Sequence, residues 1–315
     1  GLLSVPATAV KDSIGYNLSN TEDKVNRVYE SMSAFDEMVE LFYRHKGLEE
    51  NAANSKNEMP AARINIRYMR MFDGAFMYAG GLHVGIGYGS VAGLMQGTTY
   101  SNDTFNGYFG WGISHEIGHQ LNQSKLAYAE VTNNVYSLLA QTANDTSLSR
   151  LEASNIYPKI YEKVTSNTIG KPGNVFVHLG MYWQLHLAYD DAKTFEDTNS
   201  IYARINRLTR SENVAGTADD RLIVYASKAA GKNLIPYFEK WGLVPSEETK
   251  ATIASLLESG ELTEEARAIW FLNDEARRKR MNGITAMDSS TIVNATITEA
   301  DSQNKRFTLT FNVNQ

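Results

Sequence analysis

Two histidines four residues apart with a glutamate beside the first, His115-Glu116-Ile117-Gly118-His119, form the segment of this sequence best equipped for chemistry. On an α-helix, positions i and i+4 stack on one face, so the rings of His115 and His119 can converge on a single metal ion. Glu116 is turned about 100° from His115, which sets its carboxylate beside the ion rather than on it. That is where a general base belongs. Zinc lowers the pKa of a bound water to about 7, and a neighbouring carboxylate can take its proton as the water attacks a polarised carbonyl. The chemistry implied is amide hydrolysis.

A catalytic zinc usually keeps three protein ligands and one open position. The sequence has no cysteine, so histidine and carboxylate are the donors left for a metal. Glu130, eleven residues beyond His119, is the expected third ligand, because that gap lets one helix end, turn and return. The segment from Ala129 to Tyr136 is predicted as the start of the returning helix, with Asn134 on the face of Glu130. Asn134 is then expected to hydrogen-bond the far nitrogen of a ligand histidine and fix its tautomer. The competing reading is an amphipathic helix that carries two histidines by chance.

The elements that must position these residues are legible in outline. Helical periodicity runs from about 20 to 48 and ends near Gly47, followed by a polar, Asn-rich connection from Asn51 to Asn57 that reads as a loop and a domain edge. From Arg63 to about Met95 the pattern is strand-like: Ile64, Ile66 and Tyr68 alternate, then Leu82, Val84, Ile86 and Tyr88 share one face. The opposite face carries His83, Gly85, Gly87 and Gly89, with Gly80-Gly81 just before it. Glycines on one strand face leave room for a backbone or a bulky ligand, so this strand is a candidate cleft wall, with Gly80, Gly81 and His83 as candidate substrate contacts. A glycine-rich bend packed under a helix is the alternative.

Beyond the histidine motif the sequence becomes mostly helical. Thr217-Ala218-Asp219-Asp220 fits a capping box, Gly231 a helix stop, and Ser246 and Thr263 the N-caps of the next two helices. His178, Tyr182 and His186 recur at i, i+4 and i+8. If that stripe faces the cleft, one of its members could donate a hydrogen bond to an oxyanion; if not, it is core packing. Trp111, Trp183 and Tyr189 could offer flat faces to a ligand or belong to the core. The run Arg277-Arg278-Lys279-Arg280 reads as the solvated end of a helix. Residues 291–297 and 307–311 alternate around a polar turn and read as a β-hairpin. Two strands cannot bury a core alone, so the hairpin packs on the rest or opens a β-sandwich module. The expected fold class is α+β: a unit over 1–285, helical to about 57, β-rich over about 60–100 and helical over about 108–283, then a hairpin tail over 286–315.

Composition sets outer bounds. With 43% hydrophobic and 21% charged residues the 315-residue chain can bury a substantial core. A formal charge of −6 argues against a nucleic-acid footprint. No run of about 18 apolar residues is present, so no membrane span is expected. Gly1 is not preceded by a charged-then-apolar leader, and the sequence is expected to be a piece of a longer protein, monomeric in solution.

Several of these segments together resemble a known family, the enhancin-like, mucin-targeting zinc peptidases of the gluzincin group. The resemblance rests on Trp111 ahead of the histidine motif, Gly118 within it, and the run from Glu130 through Val131-Thr132-Asn133-Asn134-Val135-Tyr136 to Ser137. It extends to Ser227-Lys228-Ala229-Ala230-Gly231-Lys232-Asn233-Leu234, Phe238-Glu239-Lys240-Trp241-Gly242 and Ile269-Trp270-Phe271-Leu272-Asn273-Asp274, covering roughly residues 60 to 283. It implies a gluzincin-type fold, zinc held by His115, His119 and Glu130, and Glu116 as base. The implied substrates are O-glycosylated, mucin-like proteins cut next to a glycosylated Ser or Thr, and the implied location is secreted or on the cell surface. Two rivals stand beside this reading: a gluzincin peptidase, such as an aminopeptidase, that needs no glycan, and a glycan-binding module that has kept the fold and lost turnover.

Overall fold

Apolar side chains recur at helical intervals through most of the chain, and the computed structural model is accordingly built mainly of helices, with one four-stranded sheet and two two-stranded pairs among the described residues. It describes residues 2–14, 21–61, 63–81, 83–95, 110–143, 148–190, 199–281, 292–301 and 306–313. A short strand β1 (Leu2–Ser4) and helix α1 (Ala7–Ile14) precede the long helix α2 (Thr21–His45). In α2, Ala34, Phe35, Met38, Leu41 and Phe42 lie three or four apart and are all buried. Gly47, at φ +67°, supplies the left-handed turn after it.

The sheet follows: β2 (Asn65–Tyr68), β3 (Met77–Ala79) and β4 (Val84–Ile86), with a short helix α3 (Val91–Leu94) beyond. Its order is β1-β2-β4-β3; β2 runs parallel to both β1 and β4, and β3 runs antiparallel to β4. Two expectations are corrected here. The glycine-bearing strand stops at Ile86, where Tyr88–Ser90 begins a 3₁₀ turn, and it lies inside the sheet with β3 as its outer neighbour. The glycine face is also occupied. A Cβ on Gly85 would fall 2.2 Å from the ring of its cross-strand partner Tyr78, and one on Gly80 would fall 2.8 Å from the His83 ring. Tyr78 Oη and His83 Nε2 are 2.9 Å apart, so this chain's own side chains fill the space at Gly80 and Gly85, while Gly81 and Gly89 have no described atom within 4 Å of a Cβ position.

Helix α4 (Trp111–Leu121) packs against β3 and, across a turn, against α5 (Asn133–Gln141). Then come α6 (Arg150–Ala153), α7 (Tyr157–Ser166), α8 (Val175–Tyr189), α9 (Ile201–Ser211) and α10 (Ala218–Ala230). Every residue of α8 from Val177 to Ala188 is buried, the state expected of a helix that is apolar on all sides. The Thr217–Asp220 capping box opens α10, and Gly231 closes it at φ +66°. Beyond it lie β5 (Lys232–Asn233), α11 (Ile235–Lys240), α12 (Glu247–Glu258) capped by Ser246, β6 (Thr263–Glu264) and α13 (Asp274–Met281). Thr263 is therefore no N-cap: it pairs with Lys232 in the parallel β5–β6 bridge.

The C-terminal helix is anchored from inside. Asp274 is fully buried and accepts hydrogen bonds from Ser149 Oγ at 2.5 Å, Tyr157 Oη at 2.6 Å and Trp183 Nε1 at 3.2 Å. Arg277, expected in a solvated helix end, is buried with its Nε 3.6 Å from Asp274 Oδ1. Strands β7 (Ile292–Asp301) and β8 (Arg306–Val313) pair antiparallel. No described helix is long and apolar enough to cross a membrane.

Candidate metal centre

α4 presents His115 and His119 one turn apart, their ring centroids separated by 4.8 Å and their planes at 86°. Past Leu121 the chain doubles back and brings Glu130 to the same point. The two Nε2 atoms are 3.2 Å apart, Glu130 Oε2 is 3.1 Å from His115 Nε2, and Glu130 Oε1 is 3.2 Å from His119 Nε2. Three electron-rich donors this close repel one another unless a proton or a cation lies among them. Two imidazoles and a carboxylate, with no thiolate, make a donor set that fits a divalent transition ion, and these three side chains could hold one.

The turn that delivers Glu130 differs from expectation. Glu130 does not open the returning helix; it sits in the left-handed region at φ +61°, three residues before α5 begins. Thr132 Oγ1 accepts from Tyr128 N–H and donates to Tyr128 O, both at 3.1 Å, which closes the turn. Asn134 Nδ2 donates to the Glu130 carbonyl at 2.7 Å, and Asn134 Oδ1 lies 2.7 Å from His115 Nδ1. α5 can approach this closely because residue 118 has no side chain: a Cβ there would be 2.4 Å from Asn133 O.

Glu116, next along α4 from His115, accepts a hydrogen bond from Ala79 N–H in β3. Gln120 Nε2 donates to Gly80 O at 3.1 Å, so helix and edge strand are stitched at two consecutive strand-side residues. Burial raises the Glu116 pKa; the His115 and His119 charges oppose the rise, the Glu130 carboxylate adds to it, and the Ala79 N–H opposes it.

The sequence signature of a peptidase family, described as peptidase M60, enhancin and enhancin-like, matches residues 16–242. The chain belongs to that family. Among solved structures it resembles a conserved protein of unknown function from Bacillus anthracis str. Ames, with 27% identity, a TM-score of 0.64, and 78% of this chain and 48% of that one covered. It also resembles the M60 catalytic domain of Clostridium perfringens ZmpC in complex with the sialyl T antigen: 24% identity, TM-score 0.62, coverage 90% and 52%. A metallopeptidase in complex with Tn antigen matches at 15% identity and TM-score 0.60, with 86% and 51% covered. The chain thus spans about half the length of these neighbours. No curated protein sequence matches it.

In this M60 chain the other residues singled out by sequence separate by depth. His178, Tyr182 and His186 are all buried in α8, so core packing accounts for the stripe and none of the three lies open to a substrate. Burial lowers the His178 pKa to about 4, with Lys171 adding to the effect and Asp219 opposing it. Neither His178 ring nitrogen has a partner among the described residues, and the ring meets Tyr128 edge-on at 4.6 Å. His186 Nδ1 pairs with Asp190 Oδ2 at 2.7 Å while its ring stacks on Trp183. Trp183 is fully buried, and Tyr189 Oη donates to Glu265 at 2.5 Å. Trp111 is half-buried at the start of α4 with a guanidinium over its ring. His83 is engaged by Tyr78, and Gly81 faces open space.

Sequence reasoning passed over Asn133. It is fully buried, with Nδ2 3.1 Å from His119 Nε2 and 3.4 Å from the His115 carbonyl. Its advance signals are its place beside Asn134 and within the run from Glu130 to Ser137.

Proposed function

We propose that this chain is the catalytic part of a zinc-dependent endopeptidase of gluzincin type that cuts O-glycosylated, mucin-like proteins beside a glycosylated Ser or Thr. His115, His119 and Glu130 hold the zinc and Glu116 is the general base. The observation that carries the reading is the convergence of the two Nε2 atoms and the Glu130 carboxylate to within 3.1–3.2 Å of one another, in a chain of a peptidase family. Zinc bound there supplies Lewis-acid activation of water and of the carbonyl it attacks.

The chain's own groups do the rest. Ala79 N–H orients the Glu116 carboxylate, and the raised pKa of that group suits it to accept a proton and pass it to the leaving amine. Asn134 Oδ1 accepts a hydrogen bond from the Nδ1–H of His115, which keeps that proton on Nδ1 and leaves the Nε2 lone pair for the metal. β3, the outer strand against α4, supports the reading that an extended substrate segment lies along that edge by strand addition, the part first assigned to the glycine strand. The glycan requirement is supported by structural neighbours solved with sialyl T and Tn antigens. Substrates of this class are extracellular, so the proposal includes secretion or attachment at the cell surface.

The test compares a sialidase-treated mucin with the same peptide lacking glycans, each incubated with protein and zinc and read by mass spectrometry. Cleavage only beside a glycan is the expected result. Cleavage of both substrates would make the chain a general peptidase, and cleavage of neither a glycan-binding module. Glu116→Gln should keep the metal and lose about 10²–10⁴-fold in turnover, as removal of a general base does.

A further inference from the structure

Arg150 opens α6 and lays its guanidinium over two aromatic rings at once, 4.7 Å from the Trp111 centroid and 4.6 Å from that of Phe176. The two rings are 6.1 Å apart and inclined at 59°, so they form a shallow V with the cation across its mouth. They come from α4 and α8; three elements therefore meet around one charge. Stacking fixes the plane of a guanidinium but satisfies none of its N–H groups. Among the described residues, no carboxylate or carbonyl accepts from the Arg150 side chain; of its hydrogen-bond donors only the backbone N–H has an acceptor, Gln141 Oε1 at 2.6 Å. Partial burial works against the charge and lowers its pKa. Among the described residues, the guanidinium is a preoriented fork that meets no anion.

Its position ties it to the metal centre. Trp111 is the first residue of α4, one turn before His115 and two before His119 on the same side of the helix. A turn advances about 5.4 Å, so the stack flanks the three-donor cluster at its N-terminal side.

We propose that Arg150, held on Trp111 and Phe176, forms a carboxylate-binding subsite beside the metal centre and gives the peptidase a preference for substrates with an acidic group near the scissile bond. The inference rests on the peptidase reading above. A planar carboxylate takes the guanidinium fork through two parallel N–H···O bonds, and it comes either from an acidic sugar or from an Asp or Glu of the substrate peptide.

Two pairs of glycopeptides separate these sources. One pair shares sequence and O-glycan and differs in a terminal sialic acid; the other differs in Asp against Asn beside the glycosylated residue. Wild type is expected to prefer the acidic member of one pair by about tenfold in kcat/KM, the scale of one hydrogen bond to a charged group. The pair that shows the preference names the source. Arg150→Gln should erase the preference, and Arg150→Lys, which keeps charge without the fork, should retain part of it. A wild type indifferent to both pairs overturns the proposal. So does an Arg150→Gln variant that loses activity equally on acidic and neutral members, because Arg150 is then only a clip between helices. If Arg150→Gln does not fold, Arg150→Lys decides: an undiminished preference in that variant overturns the fork. Calorimetric titration of the same peptides into zinc-loaded Glu116→Gln, with and without Arg150→Gln, reads the subsite without turnover. An acid-dependent difference in affinity lost with Arg150 supports the subsite even if wild type cleaves nothing, an outcome that would count only against the peptidase reading.

Discussion

Asn134 uses both ends of one amide. Its NH₂ end is committed to the Glu130 carbonyl, so the oxygen end must accept from His115 Nδ1, and the His115 tautomer follows. The same side chain therefore joins the backbone of one candidate ligand to the ring of another. Asn134→Ala is expected to weaken metal binding about 10- to 100-fold, as loss of a partner behind a ligand histidine does. Competition with a chelator measures it, and affinity within twofold of wild type would remove Asn134 from this role. Glu130 adds a local cost, since a non-glycine residue in the left-handed region costs about 1–2 kcal/mol. The His-Glu-x-x-His pairing was legible in sequence because helical periodicity is local. The left-handed turn was not, because Thr132, Tyr128 and Asn134 impose it through contacts that no periodic pattern encodes.

Between elements, the approach of α5 to α4 is the sensitive parameter. Gly118→Ala would set a methyl 2.4 Å from Asn133 O and 2.9 Å from its Cα, both backbone atoms that cannot swing aside. The expected loss is about 1–3 kcal/mol, with reduced metal content because Asn133 and Asn134 move with α5. Thermal denaturation and metal analysis report both; a variant with unchanged melting and full metal would defeat the close-approach account. Asp220 joins the starts of α10 and α12. Burial alone would raise its pKa, but hydrogen bonds from Ser246 N–H, from the Thr217 hydroxyl and N–H, and from the Thr249 hydroxyl hold it well below the usual carboxylate range. The unfolded chain takes up this proton near pH 4 and the folded chain only at lower pH, so the stabilisation is full above about pH 5 and fades as pH drops below about 4. Asp220→Asn should cost about 1–2 kcal/mol at pH 7, and the gap from wild type should narrow in melts taken below pH 4. A gap that widens on acidification would refute the assignment. Caps such as Thr217, Ser246 and Gly231 could be read in advance because each is set within one turn of chain. Strands β1, β5 and β6 could not: two or three residues each, they exist through partners far away in sequence. The α8 stripe misled for a related reason, since a helix buried all round offers no polar side against which to judge which face is the cleft.

At the scale of the whole molecule, Asp274 gathers donors from the cap of α6, from α7 and from α8, with Arg277 beside it. Asp274→Ala would strand three buried donors and remove the carboxylate beside Arg277, and a loss of about 3–5 kcal/mol is expected from denaturant unfolding. A loss under 1 kcal/mol would mean that the cluster is not needed for the fold. Gln184 points the same way, donating from α8 to the carbonyls of Trp270 and Leu272. The family signature ends at Gly242, thirty-two residues before Asp274. Excising the chain at that boundary would keep every candidate ligand and yet unplug the carboxylate on which Ser149, Tyr157 and Trp183 close, so the smallest autonomous folding piece reaches at least to Arg277.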